Sequence, residues 1–92
     1  MIGYVECEWR MELSQSLKDK RAILQRVMSR VKQTQNVSIA EVDHQDKWQL
    51  TTIALVTVAS SRQACEKNLH YCLALMDSFP EWERGYTSYE WL

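Results

Sequence analysis

The order of patterned segments predicts a ferredoxin-like α+β domain. Its plan is βαββαβ, with a four-stranded antiparallel sheet ordered 4-1-3-2 and two helices on one face. Three observations carry this. The chain opens with period-two alternation of apolar and charged residues, two amphipathic stretches at helical spacing each follow a strand pattern, and two β-branched runs are joined by a short polar turn.

In β1, Ile2 to Leu13, the apolar residues Val5, Cys7, Trp9, Met11 and Leu13 alternate with Glu6, Glu8, Arg10 and Glu12, as a strand with one buried face requires. Ser14 or Ser16 can then cap α1, which runs to about Gln35. Leu17, Ile23, Leu24, Val27, Met28 and Val31 gather within about 140° of one face, and Asn36 is expected as a left-handed stop. Val37 to Val42 and Trp48 to Ala59 are rich in β-branched residues and become β2 and β3, with Asp43-His44-Gln45-Asp46-Lys47 as their turn. Ser60 or Ser61 caps α2, whose inward side carries Cys65, Leu69, Cys72, Leu73, Met76 and Phe79, and Pro80 ends it near Ser78. Glu83 to Leu92 is β4. Both of its registers hold an aromatic residue, so its inward parity stays open.

This topology brings distant segments to one end of the sheet. The β1–α1 loop (14–21), the β2–β3 turn (43–48) and the α2–β4 connection (79–84) are expected to form one surface.

A chain of 92 residues with 46% apolar and 25% charged side chains, two Gly and one Pro fits one domain, residues 1–92, and excludes collagen-like and disordered classes. Three cysteines without a CxxC pair indicate neither a disulfide framework nor a zinc site. No apolar run approaches the roughly 20 residues of a membrane span. A cytoplasmic domain without cofactor or metal is expected.

The charge is lopsided. Residues 18–32 hold Lys18, Lys20, Arg21, Arg26, Arg30 and Lys32 against Asp19 alone, a net of +5 in a chain of net −1, which leaves −6 elsewhere. Cations at a helix N-terminus oppose the macrodipole, and with the free N–H groups there they suit a phosphate or carboxylate; the plainer reading is a solvated basic face. Lys20 differs from its neighbours by falling inside the apolar stripe, between Leu24 and Val27 on the helical wheel. An ion pair with Asp43 or Asp46 is expected there, in preference to a snorkelling or a reactive amine.

His44 and Asp46, with Glu41 and Asp43 nearby, have the residue types of a general base or a weak metal site, although a structural hairpin role is the simpler reading. Nucleotide-binding and serine-nucleophile motifs are absent. Cys7, Cys65 and Cys72 read as core, and His70 as a solvated residue one turn from Glu66. Taking Leu50, Ala54, Val56 and Val58 as the buried register of β3 places Ile53 and Leu55 outward beside Tyr4. That uncovered apolar face predicts a homodimer, and without stacking aromatics on β3 it does not suit RNA-recognition-type binding.

Several of these segments resemble a known family. The opening I-G-x-x-E-C-E, then Ser16-Leu17-Lys18-Asp19-Lys20-Arg21, then Asn36 through Gln49 with its central motif His44-Gln45-Asp46-x-Trp48-Gln49, are similar to the YlxP-like family of small bacterial proteins. The resemblance covers nearly the whole chain. It implies a ferredoxin-like domain with no assigned reaction, encoded among translation-initiation and ribosome-maturation genes. Asp19 departs from the family's frequent Glu, and α2 is unusual in holding two cysteines.

The reading that combines these is a non-enzymatic accessory factor touching RNA or a ribonucleoprotein through α1, with the motif surface Ser16, Asp43, His44, Gln45, Asp46, Trp48 and Gln49 adjoining it. Two alternatives belong to other classes: a regulatory module holding a small anion between Lys18, Arg21 and His44, and a hydrolase using His44 and Asp46.

Overall fold

The computed structural model describes the whole chain, Met1 to Leu92. Its elements are β1 (Ile2–Arg10), α1 (Leu17–Thr34), β2 (Ser38–Asp43), β3 (Leu50–Val58), α2 (Arg62–Asp77) and β4 (Glu83–Trp91). The strands form one antiparallel sheet in the order β2-β3-β1-β4, which is the expected arrangement.

Local chemistry sets the element ends. Ser16 caps α1 by accepting from the Asp19 N–H at 3.1 Å, and the Asp19 carboxylate accepts from the Gln15 N–H at 3.0 Å, a reciprocal arrangement like a capping box. Ser61 does the same for α2 through the Ala64 N–H. β1 stops at Arg10, short of the expected Leu13, because the chain turns there with Ser14 N–H donating to the Met11 carbonyl; Leu13 is therefore exposed and Met11 still buried. Asn36 is not left-handed. The backbone becomes extended at Gln35, and positive φ occurs at His44 instead (φ 63°).

The core lies between the sheet and the two helices. Val5, Cys7 and Trp9 from β1 and Met11 just after it meet Val27 and Val31 of α1 and Leu69, Cys72 and Met76 of α2, all buried. Trp82, just after Pro80, completes the core: its ring stacks on Trp9 with centroids 4.2 Å apart, and its Nε1 donates to the Met76 carbonyl. Gly3 is required by close packing, since a Cβ there would meet Trp91 Cζ3 at 2.9 Å and Cys65 Cβ at 3.0 Å.

The register of β3 corrects one expectation. Val5 pairs with Leu55 and Cys7 with Ile53, so these residues share a face, and both Ile53 and Leu55 are fully buried under the helices. Directly opposed residues in an antiparallel pair point the same way. The open face is instead formed by Thr52, Ala54, Val56 and Val58, alongside Tyr4, Glu6 and Glu8 of β1. Tyr4, Ile53 and Leu55 therefore form no common outward patch. In β4 the parity left open is settled: Thr87, Tyr89 and Trp91 lie opposite Cys7, Val5 and Gly3, on the helix side. No helix is long and apolar enough to cross a membrane.

Candidate functional site

The three segments expected at one end do converge there. The Gln49 side-chain amide donates to the carbonyls of Glu12 and Ser14, each at 3.0 Å, and Met11 N–H donates to the Gln49 carbonyl, so the end of the β2–β3 turn is tied to the β1–α1 loop. Glu81, from the α2–β4 connection, pairs with Arg26 of α1.

Lys20 is the centre of this assembly. Its Nζ sits 2.7 Å from Glu41 Oε2 and donates to the carbonyls of His44 (2.6 Å) and Leu50 (2.9 Å), so three acceptors match the three protons of the ammonium. The partner is Glu41, not Asp43 or Asp46. Ile39 is buried in the core, and Glu41, two residues on, points to the same side by strand alternation, where Thr51 Oγ1 also donates to it at 2.6 Å. The pairing of β2 with β3 shifts between Glu41 and Asp43, and the Asp43 carboxylate accepts from the His44 N–H at 2.7 Å. Asp46 is exposed on the turn. The signal for Glu41 is in the sequence: strand alternation puts it on the same side as the apolar Ile39, where the inward Lys20 needs a partner.

His44 is held by its backbone, and its ring goes elsewhere. Its carbonyl accepts from both Lys20 Nζ and Lys47 N–H while its φ is left-handed, and its imidazole lies 3.6 Å from Asp43 Oδ1 and 3.9 Å from Glu8 Oε2. That ring borders a hollow of about 200 Å³ on the open sheet face, with Glu6, Glu8 and Tyr86. Lys18 and Arg21 project from α1, which covers the other face. The composite of Lys18, Arg21 and His44 is therefore not assembled, and Asp46 is not the carboxylate beside His44. No group of three or more His, Cys, Asp or Glu is arranged to hold a metal ion.

The remaining motif side chains are free. Gln45, Asp46 and Trp48 make no hydrogen bond within the chain, and Trp48 is 53% exposed. Asp46 and Trp48, with Glu8, Arg10, Glu12 and Lys47, adjoin an open cleft of about 870 Å³, whose wall of mixed charge and one indole can accept a polar group and stack against a flat one.

Along α1, Lys18, Arg21, Arg26, Arg30 and Lys32 are exposed. Arg26 is engaged by Glu81, and this hydrogen-bonded guanidinium holds the Glu81 carboxyl below its ordinary 4.5. Lys18, Arg21, Arg30 and Lys32 have no carboxylate within 4.0 Å. All three cysteines are buried and unpaired, and burial pushes the Cys72 thiol up to about 11.

Fold and site together define a small ferredoxin-like α+β domain in which a motif-bearing turn is pinned to the start of a basic helix. The chain belongs to the family described as Protein of unknown function (DUF503), whose model matches residues 2–88. It is 50% identical over 91 residues to the uncharacterized protein YlxP of Bacillus subtilis (strain 168), 99% of each chain being covered. Among solved structures it is similar to the de novo designed protein Foldit4, with a TM-score of 0.62 over 100% of this chain and 99% of that one at 13% identity, a likeness of fold alone.

Proposed function

We propose that the protein is a non-enzymatic accessory factor of translation or ribosome maturation that contacts RNA phosphates through the exposed face of α1. One observation carries the reading. Lys18, Arg21, Arg30 and Lys32 stand exposed on one helix with no internal carboxylate to neutralise them, in a chain whose net charge is −1. Lys18, Arg21 and Lys32 fall within about 60° of one another round the helix, with Arg30 on its other flank, and such an unneutralised row on an otherwise acidic molecule attracts polyanions locally and repels them elsewhere. The gene company of the family it resembles supplies the ribonucleoprotein; the residues supply the preference for phosphate.

Binding of a fluorescent single-stranded RNA followed across a salt series tests this. Each neutralised phosphate contributes about −0.7 to the logarithmic salt slope on single strands, so engagement of Lys18, Arg21 and Lys32 gives roughly −2.1. Lys18→Glu, Arg21→Glu and Lys32→Glu together should flatten the slope. Arg26 is a poorer choice, because Arg26→Glu would set two carboxylates against each other at Glu81. Equal binding by parent and triple variant at every salt concentration removes the reading.

A further inference from the structure

We propose that the free edge of β4 is a self-association site, where a second copy of this chain adds its own β4 antiparallel and the two sheets become one. β4 is a sheet edge, with β1 on its inner side only. Ile2 and Leu92 exchange both backbone hydrogen bonds, at 2.9 and 2.8 Å. Bonded pairs alternate along an antiparallel ladder, so Tyr4 with Glu90 and Glu6 with Ser88 are the next bonded pairs. The N–H and C=O groups of Thr87, Tyr89 and Trp91 therefore point outward, away from β1.

The two edges of the sheet differ. β2 has only six residues, its pairing with β3 is irregular, and it ends in the charged Glu41 and Asp43, all of which blunt an edge against further pairing. From Thr87 to Trp91, β4 keeps regular register and contains no Pro and no Lys. Its irregularity is confined to the other end, near Arg84.

Self-complementarity selects the second copy as occupant. With a two-fold axis at Tyr89, Tyr89 bonds Tyr89 of the second copy, and Thr87 and Trp91 bond each other reciprocally, so every outward backbone group of the stretch is used. Between these pairs Ser88 lies opposite Glu90, so no like charges stand directly opposite one another and the two Glu90 carboxylates are only diagonal neighbours. Moving the axis to Glu90 would set two carboxylates face to face. Moving it to Ser88 or Thr87 would draw in Gly85, whose carbonyl already accepts from the Thr87 hydroxyl at 3.2 Å. The Tyr89 ring is also ready for a cross-strand aromatic pair: it is 38% exposed, stacks on Trp91 at 5.8 Å and meets the edge of His70 at 6.0 Å. α1 packs beside β2, at the opposite side of the sheet, so this assembly is independent of the proposed RNA contact.

Sedimentation velocity on the full chain from about 5 to 200 µM, spanning the Kd of a weak to moderate dimer, tests the proposal. The parent should dimerise. Tyr89→Lys, which sets two ammonium groups at the axis, should sediment as a monomer with an unchanged circular dichroism spectrum. A second variant decides the matter if Tyr89→Lys does not fold. Tyr89→Cys places thiols on residues about 5.5 Å apart at Cα, within disulfide reach, while the three native cysteines are buried. Oxidised Tyr89→Cys should run as a covalent dimer and the exposed control Val58→Cys as a monomer. A parent that is monomeric at about 200 µM, a Tyr89→Lys variant that still dimerises, or absence of the cross-link would each overturn the proposal.

Discussion

Lys20 shows how one buried charge can organise a surface. Its ammonium joins α1 to β2 through Glu41, to the turn through the His44 carbonyl and to β3 through the Leu50 carbonyl. Removing a buried partner leaves the others desolvated and unpaired, a cost of about 3–5 kcal/mol. Lys20→Met keeps the length of the side chain and should lose about 3 kcal/mol in urea unfolding, near the lower end because Glu41 is partly solvated. Chemical shifts of residues 41–50 should move with it. The Cys72 thiol makes a pH prediction. Its folded pKa of about 11 lies above its ordinary 9.0, so the folded state holds the proton more tightly than the unfolded one. The stabilisation is complete below pH 9 and is lost as pH rises from 9 to about 11. Stability measured against pH should fall across that window, and Cys72→Ala should reduce the fall.

At the scale of elements, β3 is the instructive case, because both of its parities are apolar. Ala54, Val56 and Val58 make an even-numbered face, and Ile53 and Leu55 an odd one flanked by Thr51 and Thr57. Packing chooses the odd face: Ile53 and Leu55 bury more apolar area than Ala54 and Val56 would, and the two threonine hydroxyls find acceptors in Glu41 and the Asn36 carbonyl. A substitution at Leu55 therefore tests the core. Leu55→Glu should abolish cooperative unfolding, since an unpaired carboxylate in the core costs a large share of the roughly 5–15 kcal/mol that holds a domain together. Val56→Glu, on the open face and partly exposed, should fold. Thermal melts of the two variants distinguish the registers.

Over the whole molecule, charge is sorted by face. Apart from the buried Lys20, α1 carries its cations away from the sheet, while Glu6, Glu8 and Glu90 sit on or beside the open face. At pH 7.5 the protein, with a sequence pI near 6.1, should be retained by heparin in spite of its net negative charge, and the Lys18→Glu, Arg21→Glu and Lys32→Glu variant should elute at lower salt.

The amino-acid sequence by itself determined the order and type of all six elements, the inward faces of β1, α1 and α2, a choice of two serines for each N-cap, and the convergence of three loops at one end. Each follows from local periodicity, capping chemistry or connectivity, which nearest neighbours along the chain dictate. It also marked Lys20 as a charge that had to find a partner inside. Only the tertiary structure decided which partner, which face of β3 and β4 is covered, where the left-handed residue falls, and that the His44 ring turns to Glu8 instead of to Lys18 and Arg21. These are choices between locally equivalent options. They are settled by the burial each permits and by the buried hydrogen bonds each completes, and both involve residues far apart in the chain.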